Sequence, residues 1–326
     1  MPGEERPPLG TYVLLVANLV VFAAATNAGG TENPTVLEDF GALFGPLVAE
    51  GQYWRLFTAM FLHIGIAHLV FNLFSLFLFG RAVEQIFGSF RFLAIYVLAG
   101  LAGSIASYAF NPAVLAAGAS GAIFGILGAL VSYFAVQREV FGRLGQRELT
   151  SILFLAAMNL LYGLTTPGID NWAHIGGFAV GILLGLALSP RYRLAMSGAR
   201  DSSVAIDRSS RRKWLVVPAA LALVAFGAFV ATRALPDNAY SHIYEAERYF
   251  EQKYYEIALA ELDQALSIDE LNGEAHLLRG RIFAELGDPK KALADLGIAL
   301  NFGRAETKAE ARELIPKVSA SRGLNR

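Results

Sequence analysis

Six stretches of this chain carry no Asp, Glu, Lys or Arg: residues 11–31, 56–80, 92–137, 149–169, 171–190 and 214–232. A helix needs about 20 apolar residues to cross a hydrocarbon core of about 30 Å. Within lipid, backbone polar groups must be satisfied inside helices or closed barrels. These runs therefore commit most of the first 232 residues to a helical membrane bundle. The run 92–137 is long enough for two helices, and Asn111-Pro112 interrupts it where a turn falls. Seven spans are expected, near 11–28, 58–80, 92–110, 118–137, 149–165, 171–189 and 214–232. Only 17% of the residues are charged, against about a quarter in soluble domains.

The first span occupies the position of a secretory signal. Its leading segment sets Glu4 and Glu5 against Arg6, however, and six more spans follow, so a retained helix is expected. Basic loops orient a membrane protein toward the cytoplasm. Arg81 and Arg91 follow span two, Arg138, Arg143 and Arg147 follow span four, and Arg191, Arg193, Arg200, Arg208, Arg211, Arg212 and Lys213 follow span six. The loops after spans one, three and five offer only Arg55. This pattern predicts a cytoplasmic N-terminus and an outer C-terminus. The chain has no cysteine, which excludes a disulfide scaffold and thiolate chemistry.

From about 238 the composition becomes that of a soluble helical domain, and the chain repeats itself. Ala258-Leu259 recurs as Ala292-Leu293, Leu262 as Leu296, and Ala265-Leu266 as Ala299-Leu300, each offset by 34 residues. That period, with small residues where two helices cross, resembles tetratricopeptide repeats. The first copy is the less typical, with Ala246 and Lys253 where the second has Gly280 and Gly287. Two copies and a capping helix at 307–318 form a short α-solenoid, a type of surface used mainly to bind proteins.

Ionisable or strongly polar side chains are costly inside a span unless they have a partner or a purpose. Here they are His63, His68 and Asn72 in span two, Ser120 at the start of span four, Asn159 in span five and His174 in span six. Ser120 lies in Gly118-Ala119-Ser120-Gly121, where a loop meets a helix whose free N–H groups suit a developing oxyanion. His174 lies one turn before Gly177, Gly181 and Gly185, a stripe of small residues that lets another helix approach closely. Packed against the glycines of span four, this stripe brings His174 toward Ser120 at the outer ends of both helices. A neutral imidazole there suits removal of the serine proton. His68 and Asn72, four apart, share one face and are candidates to complete an oxyanion hole. His63 falls well off that face and is expected to hydrogen-bond the first outer loop. Asp170, four residues before His174, is expected with Asn171 to cap span six and not to complete a triad.

Taken together these residues resemble the rhomboid intramembrane proteases. His63-Ile-Gly-Ile-Ala-His68-Leu-Val-Phe-Asn72 resembles the second-helix motif, Gly118-Ala-Ser120-Gly121 the nucleophile motif, and Ala173-His174-x-x-Gly177-x-x-x-Gly181 the base-bearing sixth helix. Trp54-Arg55 is similar to a pair in the first outer loop, and Gly80-Arg81-x-x-Glu84 to the start of the third helix. The resemblance covers roughly 10–190. It implies a Ser–His dyad in a water-filled cavity below the membrane surface, substrates that are transmembrane helices, and no metal or other cofactor. Phe124 stands where some members have tyrosine, so a ring stacked on His174 is expected without its hydroxyl.

The expected architecture is all-α. A six-helix core occupies 1–190, a basic cytoplasmic linker 191–213, a seventh helix 214–235 and the repeat domain 238–326. Location in a bacterial plasma membrane follows by analogy, with a protein partner for the repeats and none for nucleic acid. The alternative is an inactive family member that binds membrane-protein clients. A metal site from His63, His68 and His174 lacks carboxylate partners. A transport path fits poorly with polar groups confined to the outer halves of their spans.

Overall fold

The computed structural model describes residues 7–166, 168–190, 192–196, 203–207, 215–234 and 238–324. The chain divides into two compact units, 1–44 with 51–233, and 45–50 with 234–326. Five helices are long and apolar enough to cross a membrane: Leu9–Asn27, Gly65–Phe87, Ser89–Phe110, Arg138–Thr165 and Asn171–Leu188. Two shorter apolar helices are Ser120–Val136 and Val216–Thr232.

The boundaries of three expected spans move. Span two starts at Gly65 and not at 58, because residues 55–61 form short helical turns that lie before it. It also continues past Gly80 through a π-helical turn, Leu76–Gly80, to Phe87. Gly80-Arg81 is thus interior to this helix. The third helix starts at Ser89, after Gly88 turns the chain with a φ of +81°. Span five begins at Arg138, with a break at Gly142 where φ is 51° and ψ is −129°. The linker expected at 191–213 lies largely outside the described residues. Its two described stretches, Tyr192–Met196 and Ser203–Asp207, pair as antiparallel strands and depart from the all-α expectation.

The helix Ser120–Val136 forms the centre of the first unit. Gly121 through Leu130 are all buried, and Ile126, Leu127 and Leu130 pack with Phe92, Ile95 and Tyr96 of the helix Ser89–Phe110 and with Leu184 and Leu188 of the helix Asn171–Leu188. Surrounded by protein, this helix can be shorter than those that face lipid. Its 17 residues rise about 25 Å, some 5 Å less than a typical hydrocarbon core.

Glycines set the spacing of the central pair. A Cβ added at Gly177 would collide with the Gly121 carbonyl oxygen, and one at Gly181 with that of Gly125. On the other side, a Cβ at Gly176 would lie 2.9 Å from the Ala102 carbonyl oxygen. The histidine-bearing helix is therefore held between two neighbours at backbone contact distance. Farther along, Ser132 Oγ donates to the Ile182 carbonyl at 2.7 Å.

In the second unit the helices Ala239–Glu251 and Tyr255–Ile268 form one antiparallel pair, and Gly273–Glu285 and Pro289–Phe302 another. The helix Ala305–Leu324 follows, longer than the cap expected at 307–318. The 34-residue period extends to polar details. Asn238 and Asn272 both cap their helices, accepting from Ser241 N and Ala275 N. His242 pairs with Glu261 and His276 with Asp295, each at 2.7 Å. Burial by itself would raise the Asp295 carboxyl. Hydrogen bonds from His276 and Arg279, with the Arg279 charge, instead hold it below the usual carboxylate range.

Candidate active site

The first loop builds the roof of the site. Arg55 is buried, its Nη1 donates to the carbonyls of Glu38 and Ala42 at 2.6 and 3.0 Å, and its Nε donates to Gln52 Oε1 at 2.8 Å. Trp54 lies against its guanidinium, 4.7 Å from the ring centroid. The loop so fixed exchanges two backbone hydrogen bonds between Leu43 and Ala116, of 2.9 and 2.7 Å. Gly118 N then donates to the Ala59 carbonyl at 2.9 Å. These bonds determine where the chain enters the serine-bearing helix.

Gly118 is required twice over. Its φ is +135°, which disfavours any side chain, and a Cβ there would sit 2.8 Å from His68 Cε1 and Nε2. The same point is 3.7 Å from Ser120 Oγ, so the His68 ring and the serine hydroxyl face one another across the glycine. Ser120 is the first residue of its helix. It lines a cavity of about 30 Å³ together with Ser104, Ser107, Gly118, Asp170 and Ala173. That is room for at least one water molecule.

His174 is buried, one turn into its helix. The Phe124 ring lies flat on its imidazole, with centroids 4.2 Å apart and planes 7° apart. Phe124 is one helical turn after Ser120, so the face bearing the hydroxyl is the face turned toward His174. Gly121 brings the two backbones together there: a Cβ on it would lie 3.3 Å from the Ala173 carbonyl. No hydrogen bond joins Ser120 to His174 among the described residues, and His174 Nδ1 has no partner. Asp170 caps the helix, accepting from Ala173 N at 3.1 Å through Oδ1, while its Oδ2 makes no hydrogen bond to the His174 ring.

Two expected positions differ, those of His63 and Glu84. Asn72 Nδ2 donates to the His68 carbonyl of its own helix at 2.9 Å, so one of its two N–H groups secures the backbone below His68. His63 is not on the helix at all. It precedes Gly65, and its ring stands edge-on to His68 at a centroid distance of 5.3 Å. Glu84 is not near the site: it lies 16 residues beyond His68 on one helix, about 24 Å away along the axis. There its carboxylate accepts from Gly10 N, Thr11 N and Thr11 Oγ1 at 2.7–2.8 Å, which caps the helix Leu9–Asn27.

Ser104 and Ser107 were not expected in the site. They are three residues apart on an otherwise apolar helix, and that spacing placed two hydroxyls on one face. Asn159 of span five bonds only its own helix, donating to the Leu155 carbonyl at 2.9 Å, and is exposed.

Apolar helices around a central glycine-packed pair, carrying a serine and a stacked histidine, define a multi-pass helical membrane protein. Residues 50–191 match the rhomboid domain. The chain is 44% identical over 186 residues to the Bacillus subtilis "Rhomboid protease GluP", covering 57% of this chain and 36% of that protein. It is 41% identical over 179 residues to the Arabidopsis thaliana "RHOMBOID-like protein 6, mitochondrial", covering 53% and 58%. Against the B. subtilis "Putative rhomboid protease YdcA" the identity is 38% over 138 residues, covering 42% and 68%. The chain belongs to the rhomboid family. It spans between about a third and three fifths of the length of the first two of these relatives.

Proposed function

We propose that this chain is an intramembrane serine endopeptidase that cleaves transmembrane helices through a Ser120–His174 dyad. The observation that carries the proposal is the stack of Phe124 on His174, one turn along from Ser120, which turns the hydroxyl and the imidazole toward the same space. In the reaction His174 takes the proton as Ser120 Oγ attacks the scissile carbonyl, and returns it to the leaving amine. The Ser120 N–H at the helix start and the His68 ring, across Gly118, are the groups that stabilise the oxyanion. Water then hydrolyses the acyl-enzyme, and the polar cavity of Ser104, Ser107 and Asp170 adjoins the ester carbon. The short central helix supports a site below the membrane surface. A substrate must unwind there, since an intact helix hides its carbonyls.

Seven spans, a cytoplasmic N-terminus and outer repeats complete the reading, which is supported by the arginine distribution. The 34-residue period in the caps and in the His–carboxylate pairs supports a tetratricopeptide-type unit, and its role is to hold a protein partner or substrate. A fluorophosphonate probe in detergent-solubilised protein tests the nucleophile. It is expected to label the wild type and not Ser120→Ala. Equal labelling of both, or none of either, would favour an inactive client-binding protein.

A further inference from the structure

The long helix Arg138–Thr165 carries a second feature, away from the serine. Arg143, Gln146, Arg147, Thr150, Ser151 and Phe154 share one face and line an open groove of about 560 Å³. The arginines are one turn apart and exposed, and neither has a carboxylate partner among the described residues. From 149 to 169 the chain has no charge, so this groove sits where the helix passes from headgroup depth into hydrocarbon. Thr150 and Ser151 donate their hydroxyls to the carbonyls of Gln146 and Arg147, at 2.9 Å each. Both hydroxyl hydrogens are thereby committed to the helix backbone, so the donors this face offers an anion are the Arg143 and Arg147 guanidiniums and the Gln146 amide. Below them Phe154 is 66% exposed and starts an apolar strip.

We propose that this groove binds a phospholipid with an anionic headgroup. Arg143 and Arg147 grip the phosphodiester with forked charge-assisted hydrogen bonds, Gln146 donates to a headgroup oxygen, and an acyl chain lies along Phe154. Two guanidiniums at one boundary and an aromatic ring about two to three turns deeper match the division of a lipid into charged head and apolar tail. A free phosphate uses only the upper half of the groove. The inference does not depend on the protease reading.

The test is binding of fluorescent phosphatidylglycerol and phosphatidylcholine to the full chain in neutral detergent, with and without millimolar inorganic phosphate. Phosphatidylglycerol is expected to bind at least about fivefold more tightly, which corresponds to about 1 kcal/mol. Arg143→Gln with Arg147→Gln should erase that preference. Gln146→Glu, a single exposed change, should reduce it even where the double variant fails to fold. Arg138→Gln, outside the groove, should leave it intact. Equal binding of the two lipids, equal loss in Arg138→Gln, or displacement of phosphatidylglycerol by inorganic phosphate would overturn the proposal.

Discussion

The Phe124 ring lies parallel to the imidazole of His174, 4.2 Å away, and this contact fixes the plane in which the histidine can accept a proton. A stacked pair of this kind contributes about 1 kcal/mol beyond burial. Phe124→Ala is therefore expected to lower kcat about fivefold with little change in KM. Phe124→Tyr keeps the ring and should stay near wild-type activity. Kinetics on a model transmembrane substrate check both. A Phe124→Ala enzyme as fast as wild type would mean that the stack does not orient the base.

Asp170 caps the helix that carries His174, and its carboxylate does not bond the imidazole. Asp170→Asn, which keeps a capping oxygen, should retain most activity. Asp170→Ala should cost about 1 kcal/mol of stability. A loss of several hundredfold in Asp170→Asn would restore a triad.

Helix contact through Gly181 predicts a steric failure. Gly181→Val places carbon against the Gly125 backbone, and the melting temperature in detergent should fall as though at least about 2 kcal/mol were lost. Gly227 meets nothing within 4 Å, so Gly227→Ala serves as the tolerated control. Equal melting of the two variants would contradict the packing.

In the repeats, Lys253 has a φ of 63° where the second copy has Gly287 at 75°. A side chain in the left-handed region costs about 1 kcal/mol, so Lys253→Gly should stabilise the first pair of helices by about that amount. Hydrogen-exchange protection of residues 239–268 measures it. A decrease in protection would show that the turn is not strained.

Asp295 gives the repeats a pH dependence. Its folded carboxyl titrates below the usual range, so its stabilisation is complete above the unfolded carboxylate value near 3.9. It is lost as pH falls through the lower folded value. Exchange protection of residues 273–302, corrected for intrinsic rates, should fall as the pH is lowered below the unfolded carboxylate value. Asp295→Ala should cost about 3 kcal/mol at neutral pH, because it removes the partner of His276 Nδ1 and two hydrogen bonds of Arg279, which keeps only Asp263.

Much of this arrangement was legible in residue types. The charge-free runs located the apolar helices, and the glycines at 177, 181 and 185 pointed to the face that packs on the serine-bearing helix. What escaped were features created by backbone detail. The helix Gly65–Phe87 absorbs Gly80-Arg81 through a π-turn, so a glycine followed by an arginine looked like a boundary and is not one. His63 lies before the helix start, and helical angles could not place it. Glu84 belongs to the Gly80-Arg81-x-x-Glu84 motif of the resemblance, yet its partners are amides of residues 10 and 11, a pairing that local spacing cannot reveal. Ser104 and Ser107 escaped because hydroxyls are common in membrane helices, where they usually bond their own backbone.

The most direct measurement is cleavage of a model transmembrane substrate in liposomes by wild type, Ser120→Ala and His174→Ala. The account predicts cleavage by the wild type and none by either variant, with all three retaining the same melting temperature within a few degrees. Cleavage by Ser120→Ala or His174→Ala at the wild-type rate, or a folded wild type that binds the substrate without cutting it, would contradict the dyad.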